Sequence, residues 1–281
     1  MFRKLNPNLL LALGLVLLGG CASTTVTAPA GKGPAAVAEF RPGYLLGYLP
    51  PTAALNSLAL LPAAPAAGSA AQALDEQLST YTLGLHGSRR WQLAAADAVL
   101  TFPEAAATFS CAANIAITEQ ATPYLYQLMR RTLMDAGISV SAAKDHYQRA
   151  RPFMVNNQPT CAPETEASLR HNGAYPSGHT AIGWAWGLIL AEVVPQRAEQ
   201  LLARGRAFGA SRMVCNVHWA SDIETGRFMG AATVARLHAD PTFQADLAAA
   251  KQEVAAQLAA PMAPGAACEA EAQALASTPV L

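Results

Sequence analysis

Three short clusters carry residues that could do chemistry together. The first is Lys144 with Arg151-Pro152 seven positions on. The second is Tyr175-Pro176-Ser177-Gly178-His179. The third is Ser211-Arg212, with His218 six and Asp222 ten positions after Arg212. Together they offer what a phosphate monoester demands. Its dianion must be bound and its developing charge stabilised, phosphorus must be attacked, and the leaving oxygen must receive a proton. Guanidinium forks match phosphate oxygens in pairs and lysine adds a point charge, which gives Lys144, Arg151 and Arg212 the binding role. Ser177-Gly178-His179 stands just before an apolar helical run. Its backbone N–H groups therefore fall at a helix start, which favours anions, and Gly178 lets a ligand approach the backbone closely.

Histidine can be nucleophile or acid, according to its protonation state. His218 and Asp222 lie four residues apart, so on a helix already running through this stretch they would share a face. The carboxylate could then accept one ring N–H and leave the other nitrogen unprotonated for attack. His179, on another segment, is the candidate general acid. Each residue alone has a plainer reading. Lys144 and Arg151 could be a solvated helix face, Asp222 a helix cap, His218 a satisfied core histidine, and Pro176-Ser177-Gly178 a turn. All of these must hold at once to remove the function. A metal site could be assembled from His179, His218 and Asp222 by ligand type, but three neighbouring cations would repel a metal ion. No metal and no other cofactor is expected.

The three clusters match, position for position, the signature of the type 2 phosphatidic-acid phosphatase superfamily. The wider runs Gly173–Thr180, Arg204–Gly209 and His218–Asp222 resemble those of the soluble bacterial class A nonspecific acid phosphatases, which more often have serine where Ala174 stands. The resemblance spans about residues 100–245. It implies a phosphohistidine intermediate on His218, oriented by Asp222, with His179 protonating the leaving alcohol. Lys144, Arg151, Arg212, Ser177 and the Gly178 amide would bind phosphate. It also implies a metal-independent enzyme, a helical fold of the type 2 phosphatidic-acid phosphatase and vanadium haloperoxidase kind, homo-oligomers, and small phosphate monoesters of broad type as substrates. A lipid phosphate phosphatase at the membrane surface and a vanadium-dependent haloperoxidase are the alternatives within the same resemblance.

The elements that must position these clusters read as helices. Hydrophobic residues make up 52% of the 281 and charged residues 14%, enough apolar material for a substantial core. Alanine and leucine prevail over β-branched residues, which favours helix over sheet. Thr122-Pro123 predicts an N-cap with proline at the first helical position. Leu125, Leu128, Met129 and Leu133 then fall on one face, with Gly137 as a stop. Thr180–Val194 reads as a buried core helix, interrupted by Glu192 and ended by Pro195, and is short for a membrane span. Arg197–Phe208, Ser221–His238 and a last helix opening at Asp240-Pro241 follow. The expected architecture is an all-α, single-domain helical bundle over residues 70–260, with a loose tail over 261–281.

The flanks carry location signals. Arg3 and Lys4 precede the apolar run Leu9–Leu18, and Gly19-Gly20-Cys21 follows. Residues 1–20 therefore read as a lipoprotein signal peptide, with Cys21 lipidated and the protein in the periplasm, anchored to the outer membrane. Residues 21–69 are rich in alanine and proline and read as a tether, with Phe40–Leu61 wrapping the domain. Formal net charge is zero over the whole chain, and without residues 1–20 it is 17 Lys+Arg minus 19 Asp+Glu, or −2. That balance gives no pull toward nucleic acid. Cys111, Cys161, Cys215 and Cys268 allow three complete pairings, and export favours at least one disulfide.

Overall fold

The computed structural model describes residues 33–259 and 265–277. The expected signal peptide, Cys21 and the start of the tether lie outside them. The described chain opens with a two-stranded antiparallel hairpin, β1 (Glu39–Arg41) and β2 (Tyr44–Leu45). Short or peripheral helices follow: α1 (Ser57–Leu60), α2 (Ala70–Leu83), α3 (Arg89–Ala96), α4 (Glu104–Ala107) and α5 (Ser110–Ala113). The long α6 (Pro123–Ile138) leads to α7 (Ser141–Tyr147), α8 (Pro152–Asn156) and α9 (Glu166–Leu169). Five more follow: α10 (Gly178–Val193), α11 (Ala198–Val214), α12 (Ala220–Leu237), α13 (Pro241–Leu258) and α14 (Ala266–Leu275). The fold is all-α apart from the hairpin.

Side-chain caps start many of these helices. Ser69 accepts from the Gln72 amide, Ser88 from Trp91, Ser177 from Thr180 and Asp240 from Phe243, each satisfying one of the donors a helix start leaves open. Helix α6 differs from expectation. Proline is at its first position, but the Thr122 side chain does not cap it. The carboxylate of Glu253, on α13, instead accepts from Tyr124 and Leu125 N–H, both at 3.1 Å, and so ties two helices together at one end.

Helix α10 occupies the middle, packed on α6, α11 and α12, while α13 covers α6. Its apolar residues meet Leu125, Leu128, Met129, Phe109, Phe208 and Phe243 in one core. Trp186 at its centre donates its indole N–H to the Met129 carbonyl at 3.0 Å. α10 and α11 approach through small residues: a Cβ on Gly187 would stand 3.3 Å from the Gly205 Cα. Helix α11 runs six residues past the expected end at Phe208. Gly209, inside the helix, is a contact point, where a Cβ would meet Thr180 Cγ2 at 2.7 Å.

The segment before α2 is docked, not free. Asp135 on α6 accepts from the Tyr48 and Leu49 amides, each at 2.9 Å, and Arg131 lies over the Tyr48 ring. The expected loose tail also needs correction. Residues 266–275 form a helix held by the Cys111–Cys268 disulfide and by Glu271, which pairs with Arg204 on α11. A short Ala/Glu-rich stretch has little apolar surface of its own, and these two tertiary links hold it in place. The second disulfide, Cys161–Cys215, ties the loop after α8 to the end of α11. Among the described residues no helix is long and apolar enough to cross a membrane. The described residues form one compact unit.

Candidate active site

The structure brings all eight residues from the three clusters to one place, where α10 and α12 begin. Ser177 is the N-cap of α10. Its hydroxyl oxygen accepts from the Thr180 amide at 3.3 Å and from the Thr180 hydroxyl at 2.9 Å, leaving its own hydrogen to donate. Gly178 and His179 occupy the first two helical positions, whose amides have no acceptor within the helix. The Ser177 amide donates to the Asp222 carbonyl at 2.9 Å, which fixes the start of α10 against the start of α12.

The three cations are buried, so the solvated-face reading of Lys144 and Arg151 fails. Lys144 is 9% exposed, Arg151 2% and Arg212 2%. Lys144, on α7, donates from Nζ to the Gly173 carbonyl at 2.6 Å. Arg151 is the N-cap residue of α8, and its fork is pinned by carbonyls. Nε donates to Leu169 and Asn172, each at 3.1 Å, and Nη1 to Val217 at 2.9 Å. Arg212 leaves Nε and Nη1 buried with no protein acceptor. Buried guanidinium donors without partners are costly, and an anion would satisfy them.

His218 and Asp222 meet, but not on a helical face as the spacing predicts. Helix α12 begins only at Ala220, with Trp219 as N-cap, so His218 precedes the helix and Asp222 is its third residue. Asp222 Oδ2 accepts from the Trp219 amide at 2.8 Å and faces His218 Nδ1 at 3.3 Å. The carboxylate thus caps the helix and holds the imidazole at once. A carboxylate only accepts, so Nδ1 carries the hydrogen. The other nitrogen, Nε2, lies 3.0 Å from Arg151 Nη1. Arginine only donates, so Nε2 presents its lone pair to the cluster of cations. His179 is set the opposite way. Its Nε2 lies 3.0 Å from the Ala98 carbonyl, so Nε2 carries the hydrogen and Nδ1 remains to take a second proton.

Burial holds both histidines well below the ordinary imidazole range. For His218 the charges of Arg151, Lys144 and Arg212 add to this; for His179, Arg212 adds most. Burial, then Arg151, pushes Lys144 down to about 7, and burial brings Arg212 down to about 10. The protein has packed positive charge that it does not neutralise internally, and perturbed groups of this kind mark functional sites.

Sequence reasoning missed four contributors. Arg149 grips Asp222 Oδ1 at 2.6 Å and Asp75 Oδ2 at 2.7 Å. Asp97 and Ala98 follow α3. Asp97 accepts from Ser211, and Ala98 supplies the His179 acceptor. Asp97 also binds Arg204, at 2.5 Å. Arg149 stands only two residues before Arg151, and that proximity was the one available signal. Asp75, Asp97 and Ala98 lie far from every motif.

The chain is similar to several known proteins. The family model described as the PAP2 superfamily matches residues 125–244. The acid phosphatase of Zymomonas mobilis is 40% identical over 190 residues, 68% of this chain and 72% of that protein. The non-specific acid phosphatase of Salmonella typhimurium is 40% identical over 205 residues, 73% of this chain and 82% of its own. That of Providencia stuartii is 40% identical over 211 residues, covering 75% and 85%.

Proposed function

The chain belongs to the PAP2 superfamily and is an acid phosphatase; we propose that it hydrolyses small phosphate monoesters through a phosphohistidine on His218, without a metal. The observation that carries this reading is the setting of the His218 ring, with Nδ1 3.3 Å from Asp222 Oδ2 and Nε2 3.0 Å from Arg151 Nη1. Asp222 holds the hydrogen on Nδ1, and Nε2 offers its lone pair beside Arg151.

In the proposed cycle a phosphate dianion sits among Lys144, Arg151, Arg212, the Ser177 hydroxyl and the Gly178 amide. Nε2 of His218 attacks phosphorus and the bond to the leaving oxygen breaks. His179 gives that oxygen a proton from Nδ1. Water then attacks the phosphohistidine, His179 takes the water's proton, and phosphate leaves with both histidines restored. The cations balance charge on the transferring group, which is the largest service an enzyme can give phosphoryl transfer. Their number makes a bound metal ion unnecessary. We place this site outside the cytoplasm, tethered through Cys21, in keeping with the N-terminal signal pattern and the two disulfides.

The test is p-nitrophenyl phosphate hydrolysis at about pH 5.5 with EDTA present, run beside His218→Ala. Activity should survive the chelator. The variant should lose turnover and acid-labile phosphoenzyme together. Inactivity across the whole range from about pH 4 to about pH 8 would remove the phosphatase reading; loss in EDTA alone would remove metal independence.

A further inference from the structure

We infer that Arg149, anchored by Asp75, is a positioning residue that keeps Asp222 ionised and aimed at His218. The inference rests on the phosphohistidine reading above and adds residues to its machinery. Both forks of the Arg149 guanidinium are used. Nη1 donates to Asp222 Oδ1 at 2.6 Å and to Ser221 Oγ at 2.7 Å. Nη2 donates to Asp75 Oδ2 at 2.7 Å and to Gln72 Oε1 at 2.6 Å. Asp75 in turn accepts from the Ser221 amide at 2.9 Å and from the Ser221 hydroxyl at 2.5 Å. Helix α2 therefore reaches the second residue of α12 directly and its third through Arg149. Asp75 and Gln72 lie outside residues 125–244, the span the family model matches.

What this arrangement does follows from how Asp222 divides its oxygens. Arg149 takes Oδ1, so the carboxylate cannot rotate, and Oδ2 stays on the Trp219 amide and His218 Nδ1. Asp222 is wholly buried, and burial favours its neutral form. A protonated Asp222 would no longer compel the hydrogen onto Nδ1, and Nε2 would lose its lone pair in part of the population. The charged and titratable groups around Asp222 are Arg149, Lys144, Arg151, His218 and Tyr175, with Asp75 behind Arg149. Of the cations, only Arg149 bonds the carboxylate directly. Lys144 and Arg151 are spent on the Gly173 and Val217 carbonyls and on the substrate side. Asp75 keeps Arg149 from turning toward phosphate, because it holds the opposite fork.

The experiment is kcat against pH with saturating p-nitrophenyl phosphate for the wild type, Arg149→Met, Arg149→Lys and Asp75→Asn, with thermal unfolding alongside. The acid limb of kcat reports protonation of the His218–Asp222 pair as a unit. Arg149→Met should lower kcat about 10- to 100-fold, the usual cost of losing an outer partner that orients a working group. KM should change little, since the phosphate donors are untouched. The acid limb should move up by about one pH unit, the effect of removing a contacting opposite charge. Arg149→Lys keeps the charge and should restore the limb but only part of kcat. Asp75→Asn should lower kcat and move the limb down or leave it in place. A wild-type limb in Arg149→Met, or a fall in melting temperature with kcat intact, would overturn the inference. Should Arg149→Met not fold, Arg149→Gln carries the same test, because it keeps a donor on Oδ1 without the charge. Absence of turnover and phosphoenzyme in the wild type would instead indict the phosphohistidine reading itself.

Discussion

Replacing Gly226 by alanine should damage catalysis from outside the reacting groups. Gly226 lies on α12 one turn beyond Asp222, where that helix crosses the start of α10. A Cβ there would stand 2.5 Å from the Ser177 carbonyl oxygen, 3.0 Å from Thr180 Cβ and 3.3 Å from Ser177 Cβ. A carbon–oxygen contact of this kind relaxes at about 3.3 Å, so the two helix starts must part by roughly 0.8 Å. Overpacking costs about 1–3 kcal/mol, and the better helix propensity of alanine returns about 0.5–1 kcal/mol. The net loss of about 0–2.5 kcal/mol corresponds to a melting temperature lower by up to roughly 10 °C. The same movement separates Ser177 and Gly178 from His218 and Asp222 and strains the 2.9 Å bond from the Ser177 amide to the Asp222 carbonyl. A misplacement near 1 Å costs on the order of 100-fold in rate, so kcat should fall about 10- to 100-fold. Steady-state kinetics and thermal unfolding measure both effects. Gly137→Ala is the control, since its Cβ would meet only Ile182 Cδ1 at an ordinary 3.7 Å, and it should be neutral or slightly stabilising. Wild-type kcat in Gly226→Ala, whatever its stability, would refute the claim that the α10–α12 crossing sets the spacing of the site.

Four further outcomes are expected. His179→Ala should cost alkyl phosphates about 100-fold or more and p-nitrophenyl phosphate far less, because nitrophenolate needs no acid; an equal loss on both would remove His179 as the acid. Inorganic phosphate should take up protons as it binds at about pH 7, since Lys144 is held down to about 7 and both histidines lie below the usual imidazole range and a dianion raises all three. Calorimetry in two buffers of different ionisation enthalpy reads this, and identical heats would refute it. The same shifts make the two histidines a stability contribution that is present above their unfolded value of about 6.5 and lost as pH falls toward their lower folded values; saturating phosphate should flatten that decline. Replacing Cys111 and Cys268 together by alanine should cost about 2–5 kcal/mol, because the bridge spans 157 positions; an unchanged melting temperature would show that α14 contributes little.

The core helices and the eight motif residues were legible in the sequence because each carries a local signal. Helix α10 is an almost wholly apolar run between Gly178 and Pro195, and the groups proposed to bind phosphate sit at spacings that few other chemistries would need. What stayed hidden is set by tertiary geometry. The helical-face prediction for His218 and Asp222 used the right spacing and the wrong backbone. The same four-residue step brings side chains together at a helix entrance when the later residue folds back onto the N-cap amide, as Asp222 does on Trp219. The helix expected to end at Phe208 runs on because Gly209 packs against the Thr180 methyl, a neighbour that one chain's sequence does not reveal. Helix α14 depends on a disulfide whose pairing composition cannot fix. Asp75 and Ala98 act across sequence separations of 146 and 81 residues, through one carboxylate and one carbonyl.

The arrangement of hydrogens then bears on why such a site would prefer acid. Burial beside unneutralised cations disfavours protonation of both histidines, so the free protein favours no ready-made general acid. A phosphate dianion reverses the local field and raises both ring pKa values. The two rings cannot answer alike. His218 has its Nδ1 hydrogen committed to Asp222, and on the proposed mechanism its Nε2 lone pair is the one that meets phosphorus. His179 has its Nε2 hydrogen committed to Ala98 and a free Nδ1. Only His179 can accept the extra proton without losing the attacking electrons. On the proposed mechanism the substrate therefore creates its own acid, and mild acidity supplies the proton it captures. The division of labour between two chemically identical side chains is fixed by a carboxylate on one and a backbone carbonyl on the other.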